Sequence, residues 1–382
     1  MSDVGFLGKL LDGAGVEWIL LRDISTVLRG KRLTKSNLSD NSKFPVYHGG
    51  LAPLGFYGQS NRPANSTMII NVGASAGTVG YSEGEFWSSD GCYCIAHSES
   101  LNSRYLFHFL RNVEPHIKGK VRYAGIPTLD AIVLERLAIP IPCPDEPEKS
   151  LAIQREIVRI LDTFTELTAE LTAELATRKK QYNHYRDQLL TFEDGEVEWM
   201  QLGELTRIKT GQSVNKNMIA DNPGQYPVIN SGRDPLGFLD DWNTEEDPIG
   251  ITSRGAGVGS VTWQEGRYFR GNLNYSVTIR STDDLNVNFL YHTLEQFQSE
   301  IRGLCTFDGI PALNAVNLKK LRIPVPALAE QARIATILDK FDTLTTSLSE
   351  GLPREIALRQ QQYEKYRDLL LSFPRPAESS EA

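Results

Sequence analysis

Two stretches of the chain place hydrophobic residues in alternating steps of four and three, a spacing typical of helices that pack against another helix. The first stretch predicts one long helix over about 150–191, with a seam sustained for five heptads. The second carries four extra residues around Gly351 and Pro353, where we expect the helix to break. The seam residues are Ile157, Leu161, Phe164, Leu171, Leu175, Tyr182, Tyr185 and Leu189 in the first stretch, and Ile334, Leu338, Phe341, Tyr363, Tyr366 and Leu370 in the second.

The segments between the helical stretches show a different pattern, rich in Gly, Pro, β-branched and aromatic residues. Short apolar runs such as 67–72 and 277–280 are bounded by turn residues and predict strands. The chain is therefore expected to be α+β. Its predicted division is a β-rich domain over 1–148, a helical region over 149–192, a second β-rich domain over 193–328, and a helical region over 329–382 that ends in a flexible C-terminal tail.

The chain also repeats itself at an offset of about 181 residues, in the same order throughout. The clearest pairs are VEWILLRDI (16–24) with VEWMQLGEL (197–205), FPVYHGGLAPLGF (44–56) with YPVINSGRDPLGF (226–238), and GIPTLDAIVLERLAIPIP (125–142) with GIPALNAVNLKKLRIPVP (309–326). So long a period indicates a duplicated domain pair rather than a stacked array. We therefore expect an internal pseudo-two-fold duplication, in which the two seams pack as an antiparallel coiled coil that separates the β-rich domains.

Composition narrows the class of protein. The chain has 382 residues, of which 40% are hydrophobic and 23% charged, as in ordinary globular proteins. It has no run of eighteen apolar residues and no basic flank before an apolar run at its start, so a cytoplasmic protein without membrane contact is expected. The four cysteines are too few for a disulfide framework and lack zinc-ligand spacing, which favours reduced, mostly buried thiols.

Charge is unevenly distributed. The net charge of −8 by itself argues weakly against a nucleic-acid partner, because nucleic-acid-binding domains are usually basic on the binding face. However, the segment 22–43 contains six basic residues against two acidic ones. A positive segment therefore lies within an acidic chain.

The motifs of common catalytic sites are missing from the sequence. There is no P-loop, no close-spaced pair among the six histidines, no Gly-x-Ser-x-Gly and no Asn-Pro-Pro-aromatic motif. The glycine-rich runs 73–80 and 255–259 are better explained as places where the backbone approaches another element closely, such as a strand. Two similar β-rich modules at a fixed spacing, without evident catalysis, suit the reading of a bipartite, asymmetric DNA site.

Several motifs resemble the specificity subunit of type I restriction–modification systems, most closely the IC-type group. They are the matched segments 139–164 and 322–342, the YRDxLLxF elements at 185–192 and 366–373, and LTAELTAEL at 167–175. The resemblance covers essentially the whole chain and implies that the β-rich domains are target-recognition domains. It further implies two modification subunits, which carry S-adenosylmethionine and methylate adenine N6, and restriction subunits driven by ATP with Mg. The chain itself would bind no cofactor or metal and would supply target choice and scaffold.

The candidate DNA contacts are basic residues near the predicted strands and before the GIP motif. They are Arg29, Lys31, Arg32, Lys35, Lys118, Lys120 and Arg122 in the first domain, and Lys209, Lys216, Arg233 and Arg254 in the second. Lysine suits phosphate, whereas arginine can also bind guanine with two hydrogen bonds. Tyr57, Asn61, Asn272 and Asn274 are weaker candidates for contact with base edges.

Two functions of different class stay open at this point. The favoured one is a non-catalytic subunit that reads DNA; the alternative is a structural adaptor that binds modification subunits without reading DNA. A self-contained methyltransferase is disfavoured, because the two repeats leave no room for a cofactor domain. The tandem TAEL copies at 168–171 and 172–175 each add about 6 Å of helix. We expect a third copy to change the spacer of the recognised site and leave both half-sites unchanged.

Overall fold

The computed structural model describes residues 4–193, 195–232, 234–347 and 349–374. The first half of the chain alternates short strands and short helices and ends in one long helix. Its helices are α1 (Val4–Leu11), α2 (Leu21–Ile24), α3 (Ser103–Asn112), α4 (Glu114–Lys118), α5 (Ala131–Glu135) and the long α6 (Pro147–Leu189). Its strands are β1 (Val16–Leu20), β2 (Val27–Leu28), β3 (Phe44–Tyr47), β4 (Gly55–Tyr57), β5 (Ser66–Ile70), β6 (Val79–Ser82), β7 (Trp87–Ser88), β8 (Cys92–Ile95) and β9 (Ala138–Pro142).

The second half repeats this order and ends in two helices instead of one. Its strands are β10 (Glu198–Gln201), β11 (Thr206–Thr210), β12 (Pro223–Ile229), β13 (Phe238–Leu239), β14 (Ile249–Thr252), β15 (Val261–Trp263), β16 (Phe269–Arg270), β17 (Asn274–Ile279), β18 (Cys305–Thr306), β19 (Ala312–Leu313) and β20 (Arg322–Val325). Its helices are α7 (Leu202–Leu205), α8 (Lys216–Asp221), α9 (Val287–Gln296), α10 (Gln298–Gly303), α11 (Ala315–Lys319), α12 (Leu328–Thr346) and α13 (Leu352–Leu371).

The sheets of the two halves have the same topology. A four-stranded antiparallel sheet has the order β2-β8-β5-β6 in the first half and β11-β17-β14-β15 in the second. A three-stranded sheet, β4-β3-β7 or β13-β12-β16, contains one parallel pair in each half. Each half also has a two-stranded sheet, β1-β9 or β10-β20. Its second strand directly precedes α6 in the first half and α12 in the second half. The mixed α+β fold with an internal duplication, predicted from the sequence, is confirmed.

The chain is grouped into two units, each with its own hydrophobic core. Unit 1 comprises residues up to Leu171 together with those from Ile356 onward, and unit 2 comprises the residues from Thr172 to Glu355. The boundary falls between the two TAEL copies of α6. Each unit therefore combines helical residues from both halves of the chain: α6 with α13 in unit 1, and α6 with α12 in unit 2.

The predicted seam residues lie at these helix contacts. In unit 1, Phe164 stacks on Tyr366 with ring centroids 5.0 Å apart, and in unit 2, Tyr185 stacks on Phe341 at 5.4 Å. The seam positions Ile157, Leu161, Tyr182, Ile334, Leu338 and Leu370 are buried, and Phe164, Leu171, Leu175, Leu189, Phe341, Tyr363 and Tyr366 are half-buried. Tyr185 is the exposed member of the set, despite its stacking.

The predicted helix break is also confirmed, since α12 ends at Thr346 and α13 begins at Leu352. A Cβ atom at Gly351 would lie 2.4 Å from the carbonyl oxygen of Thr343, so this close return of the backbone requires glycine. The predicted C-terminal tail lies outside the described residues from 375 onward. The four-segment division by residue number stays a prediction.

Candidate nucleic-acid interface

The first group of predicted contact residues follows β2 on a segment whose backbone is tied to a neighbouring strand. The amide of Lys31 donates to the carbonyl of Ser88 at 2.9 Å, and the indole of Trp87 donates to the carbonyl of Lys31 at 2.7 Å. The four predicted cations of this segment are all exposed: Arg29, Lys31, Arg32 and Lys35. A fixed backbone with solvated cations is suited to phosphate contact, because the charges stay available to a ligand.

Two glycines show which residues of the second domain correspond to this segment. A Cβ at Gly30 would lie 1.8 Å from the carbonyl oxygen of Ser89, and one at Gly211 would lie 2.3 Å from that of Gly271. Counting from this matched pair, Lys216 takes the place of Lys35, and each begins a short helical turn. Lys209 lies on β11 just before the glycine, and both predicted lysines are exposed.

The second group surrounds the loop that carries the Gly-Ile-Pro sequence. Lys118 ends α4 and pairs with Glu114 at 2.7 Å, and Arg122 pairs with Asp130 at 2.9 Å. Lys120 is exposed between them. The Arg122–Asp130 pair is exposed on both sides, and exposed ion pairs contribute about 0–1 kcal/mol, so Arg122 can exchange its carboxylate for a phosphate at little cost.

In each domain, a glycine of the glycine-rich run has a left-handed backbone and lies against a basic residue of the short helix before the Gly-Ile-Pro loop. Gly77 has φ +87°, and a Cβ there would lie 2.9 Å from Cγ of Lys118. Gly259 has φ +80°, and its Cβ would lie 2.8 Å from Cγ of Arg302. The glycine-rich runs thus approach a short helix, whereas the sequence suggested a strand.

Arg302 is a candidate contact that the sequence analysis missed. It is exposed, and it occupies in the second domain the place that Lys118 has in the first. The signal was present in the sequence, because Lys118 and Arg302 are 184 residues apart, as are the glycines of the two Gly-Ile-Pro motifs, Gly125 and Gly309. Arg254, which was predicted, is exposed and forms a β-bridge with Ala312 beside the second motif. Arg233 lies outside the described residues.

The base-contact prediction for Asn274 is wrong because the residue is buried, whereas that for Asn61 stays a prediction although its side chain has hydrogen-bond partners within the domain. The Asn61 side chain is engaged by the backbone of Ser88, from which its Oδ1 accepts at 2.7 Å and to which its Nδ2 donates at 3.0 Å. Asn274 is fully buried, and its Oδ1 accepts from Nη1 of Arg270 at 2.6 Å. Tyr57 is half-buried with its ring edge-on to Trp87, and Asn272 is exposed, so base contact by these two stays a prediction.

A buried glutamine fastens each domain to its helix. In unit 1, Gln154 of α6 accepts at Oε1 from the amide of Asn102 at 2.8 Å and donates to the carbonyl of Ser100 at 3.0 Å. In unit 2, Gln331 of α12 accepts from the amide of Asn286 at 2.8 Å. Both glutamines have no exposed surface, and both asparagines cap the helix that follows. The orientation of α3 and α9 is therefore set by the long helices.

A histidine–aspartate pair extends the same attachment about two turns further along α6 and α12. Nε2 of His108 lies 2.8 Å from Asp162, and Nε2 of His292 lies 2.7 Å from Asp339. In unit 1 a tyrosine from the other helix completes the network, with the Tyr363 hydroxyl 3.5 Å from Nδ1 of His108. Tyr182 does the same for His292 at 3.4 Å in unit 2. Each network joins the domain to both helices of its unit.

Burial lowers the pKa of His108, although the hydrogen bond and charge of Asp162 partly oppose this effect. For Asp162, burial raises the pKa, but the hydrogen bond from His108 and the positive charge of Arg104 outweigh it and lower the pKa overall. At neutral pH the pair is thus a neutral imidazole and a carboxylate. Its hydrogen bonds are used for attachment within the unit.

Possible metal ligands, thiols and long apolar helices bear on which other kinds of site the described residues could form. Within 4–193, 195–232, 234–347 and 349–374, no three His, Cys, Asp or Glu side chains come together as a possible metal site. The four cysteines are free, and burial raises the pKa of the Cys92 thiol to about 12, which disfavours a thiolate ligand or nucleophile. In the parts of the chain that the structure describes, no helix combines the length and apolar character that crossing a bilayer requires.

Family models and known relatives match this chain over nearly its whole length, and they agree on the kind of protein. The family model of the type I restriction modification DNA specificity domain matches twice, at residues 15–178 and 195–358. The specificity subunit of the type I restriction enzyme EcoR124I/EcoR124II of Escherichia coli is 38% identical, covering 98% of this chain and 99% of that protein. The EcoprrI specificity subunit of the same organism is 31% identical, covering 92% of this chain and 93% of that protein.

Solved structures show the same fold. The S subunit of a type I restriction–modification system from M. genitalium superposes with a TM-score of 0.73 at 19% identity, covering 96% of this chain and 98% of that one. A chain from a structure of the type I R-M system superposes with a TM-score of 0.56 at 18% identity, covering 94% of this chain and 97% of that one. The doubled specificity domain, the relatives and the shared fold agree, and the chain belongs to the family of type I restriction–modification specificity subunits.

Proposed function

We propose that this chain is the non-catalytic DNA sequence-recognition subunit of a type I restriction–modification complex. One domain reads each half of a bipartite, asymmetric DNA site, and the chain is the scaffold for the modification and restriction subunits. The observation that carries this proposal is the specificity domain that occurs twice in one chain, at 15–178 and 195–358. Its exposed cations at matched positions, such as Lys35 and Lys216, support the role.

The asymmetry of the site is supported by how the two basic segments differ. Gly30 and Gly211 are matched positions. Counted from them, Lys31 corresponds to Gln212 and Arg32 to Ser213, so these two cations are not kept. The next cation, Lys35, corresponds to Lys216 and is kept. Base readout requires a particular donor and acceptor at each position. Domains with the same frame and different side chains on it therefore select different half-sites.

The same family membership supports a proposal for the partners. The chain acts in the cytoplasm with two modification subunits, which bind S-adenosylmethionine and methylate adenine N6. Restriction subunits with ATP and Mg join the same assembly. The net charge of −8 fits an arrangement in which modification subunits supply many of the phosphate contacts.

The first test is methylation mapping. The chain is co-expressed with its modification subunit in a host without related methylation, and N6-methyladenine is mapped across the genome by single-molecule sequencing. We expect a split motif that disappears when this chain is omitted. A stable complex that adds no methylation would instead support the structural adaptor.

The second test removes the first basic group from the assembled complex. Arg29→Ala, Lys31→Ala and Arg32→Ala together are expected to weaken specific binding by about a hundredfold at physiological salt, because each lost contact is worth on the order of 1 kcal/mol. The matched control replaces three exposed cations elsewhere, Arg136, Lys179 and Lys180, with alanine. Equal affinities for the triple variant and the unaltered complex would contradict DNA reading by this segment.

A further inference from the structure

The two Gly-Ile-Pro loops are built alike and held firmly. In the first loop (122–128), the backbones of Arg122 and Thr128 exchange hydrogen bonds of 2.9 and 3.0 Å. In the second loop (306–312), β18 and β19 make the same pairing between Thr306 and Ala312. Gly125 has φ +89° and the equivalent Gly309 has φ +90°, so both loops make the same left-handed turn.

A second set of hydrogen bonds fixes the loops to the sheet side of each domain. The amide of Gly73 donates to the carbonyl of Pro127 at 2.9 Å, and the amide of Gly255 donates to that of Pro311 at the same distance. The side chains at the tips are thus presented on rigid backbones, and little conformational entropy would be lost from these backbones on binding.

These rigid tips expose large apolar side chains. Tyr123 is 71% exposed and Ile126 is 70% exposed, while their counterparts Phe307 and Ile310 are 57% and 71% exposed. A third matched pair lies on the helix that follows, where Ile132 is 42% and Val316 is 58% exposed. Of the twelve exposed large apolar side chains among the described residues, these six lie at just two matched places. Such concentration marks an interaction surface.

The charges directly beside the apolar tip residues are not kept between the two domains, whereas the short helix before each loop carries a cation in its last turn in both, Lys118 and Arg302. Lys120 corresponds to Leu304, Arg122 to Thr306, and Ala124 to Asp308, counted from the two motif glycines. Loop tips that bind phosphate would keep positive charge beside them, and loop tips that read bases would differ in each domain. Here the apolar side chains are kept and the charges vary, which points to a protein ligand met once by each domain.

We propose that each Gly-Ile-Pro loop docks one copy of the modification subunit, with the aromatic and isoleucine side chains of the tip inserted into an apolar pocket of that subunit. The proposal rests on the proposed function, because that function requires two identical partners of one chain. Aromatic side chains are enriched at protein interfaces, and the isoleucine of each tip adds apolar area close to the aromatic ring. The matched loops give both copies of the partner the same contact.

The experiment measures assembly of the full-length chain with purified modification subunit by native mass spectrometry over a concentration series. Tyr123→Ser with Ile126→Ser alters the first loop, and Phe307→Ser with Ile310→Ser alters the second. We expect each pair to weaken one of two binding events at least tenfold, so that complexes with one modification subunit accumulate. Both pairs combined should leave the chain without bound subunits at concentrations that saturate the unaltered chain.

The matched control is Leu54→Ser with Leu236→Ser, which removes two exposed leucines from another matched pair of loops and should leave assembly unchanged. Tyr123→Phe with Ile126→Leu should assemble normally, which guards against a loop that merely fails to fold. Thermal unfolding of the chain alone should be the same for all variants, because the altered side chains are exposed.

Two outcomes would overturn the proposal. If the serine variants bind both modification subunits with unchanged affinity and the complexes lose affinity for DNA, the loops contact DNA instead. If neither assembly nor DNA affinity changes, the loops are not a docking surface. Failure of the proposed function is a separate result, since it would appear as an unaltered complex that assembles with two subunits and binds no specific DNA.

Discussion

The contacts that attach each domain to its helix are nearly the same in the two units. The side chains on the surface that each domain presents differ between them. The buried glutamine contact measures 2.8 Å in both units, and the histidine–aspartate contact measures 2.8 Å in unit 1 and 2.7 Å in unit 2. By contrast, the basic segment after β2 keeps only one of its cations, Lys35, at the matched position of the second domain. The duplicated chain preserves how a domain is held and varies what it reads.

Even the preserved attachment differs in its charge. In unit 1, Asp162 also accepts from the guanidinium of Arg104 at 2.9 Å, and its carboxylate is 23% exposed. In unit 2, Asp339 accepts from the neutral amide of Asn288 at 2.7 Å and is 40% exposed. Hydrogen bonds between two charged groups are stronger than those with a neutral donor, so the aspartate matters more in unit 1.

The largest effect should come from the buried glutamines. Gln154→Ala leaves the amide of Asn102 and the carbonyl of Ser100 without their partner, and each unsatisfied buried group costs about 1–3 kcal/mol. We expect unit 1 to lose about 2–4 kcal/mol of stability while unit 2 is unchanged, and Gln331→Ala to do the reverse. Hydrogen exchange of the full-length chain, followed separately for each unit, measures both. Equal loss of protection in the two units would show that the attachments are not independent.

Substitutions of the two aspartates should cost less stability than those of the glutamines, and the cost should differ between the units. Asp162→Asn keeps the shape but removes the charge that holds His108 and Arg104, and we expect a loss of about 2 kcal/mol in unit 1. Asp339→Asn should cost about 1 kcal/mol or less in unit 2, because that carboxylate is more exposed and has no arginine partner. Chemical unfolding monitored by hydrogen exchange compares them. A larger loss for Asp339→Asn would refute the charge argument.

The glycines beside the second basic group allow a matched pair of variants. Gly73 and Gly77 both have left-handed φ angles, +88° and +87°, but only Gly77 lies against Lys118. Gly73→Ala should cost about 1 kcal/mol of stability from backbone strain alone. Gly77→Ala should cost somewhat more and also weaken DNA binding by the complex, because α4 must shift. Equal DNA affinity for the two variants would mean that the position of Lys118 is unimportant for binding.

The smallest effect should be a pH dependence of unit 1. Because the folded-state pKa of His108 is lowered from its ordinary 6.5, the unfolded chain takes up the proton first, so this contribution to stability is lost as the pH falls below 6.5. The lowered pKa of Asp162 acts in the same direction below about 3.8. Hydrogen exchange of unit 1 at pH 7.5 and 5.5 measures the first loss, and His108→Gln should reduce it. An undiminished loss in His108→Gln would assign it to other groups.

Much of the fold could be predicted because it depends on patterns that the chain contains twice. The duplicated order of strands, the helical seams and the break at Gly351 follow from spacing and turn chemistry. Individual site residues were harder. Asn274 was predicted as a base contact from its residue type alone. Whether a strand residue faces the core depends on the register of the strand, and in the structure the Asn274 side chain is inside the domain, where it accepts a hydrogen bond from Arg270. Arg302 was missed because its match with Lys118 is clear only once the Gly-Ile-Pro motifs are used to align the copies.

The sharing of α6 between the units has a consequence for synthesis on the ribosome. Unit 2 uses only residues between Thr172 and Glu355, whereas unit 1 needs α13, and the indole of Trp18 donates to the carbonyl of Pro374 at 2.9 Å. Domains usually fold in the order in which they are made. Here the domain made first is incomplete, with Phe164 lacking its stacking partner Tyr366, until a segment more than 180 residues later has emerged. The second domain is complete first, and a nascent chain that stops short of α13 leaves the first one exposed to chaperones and proteases.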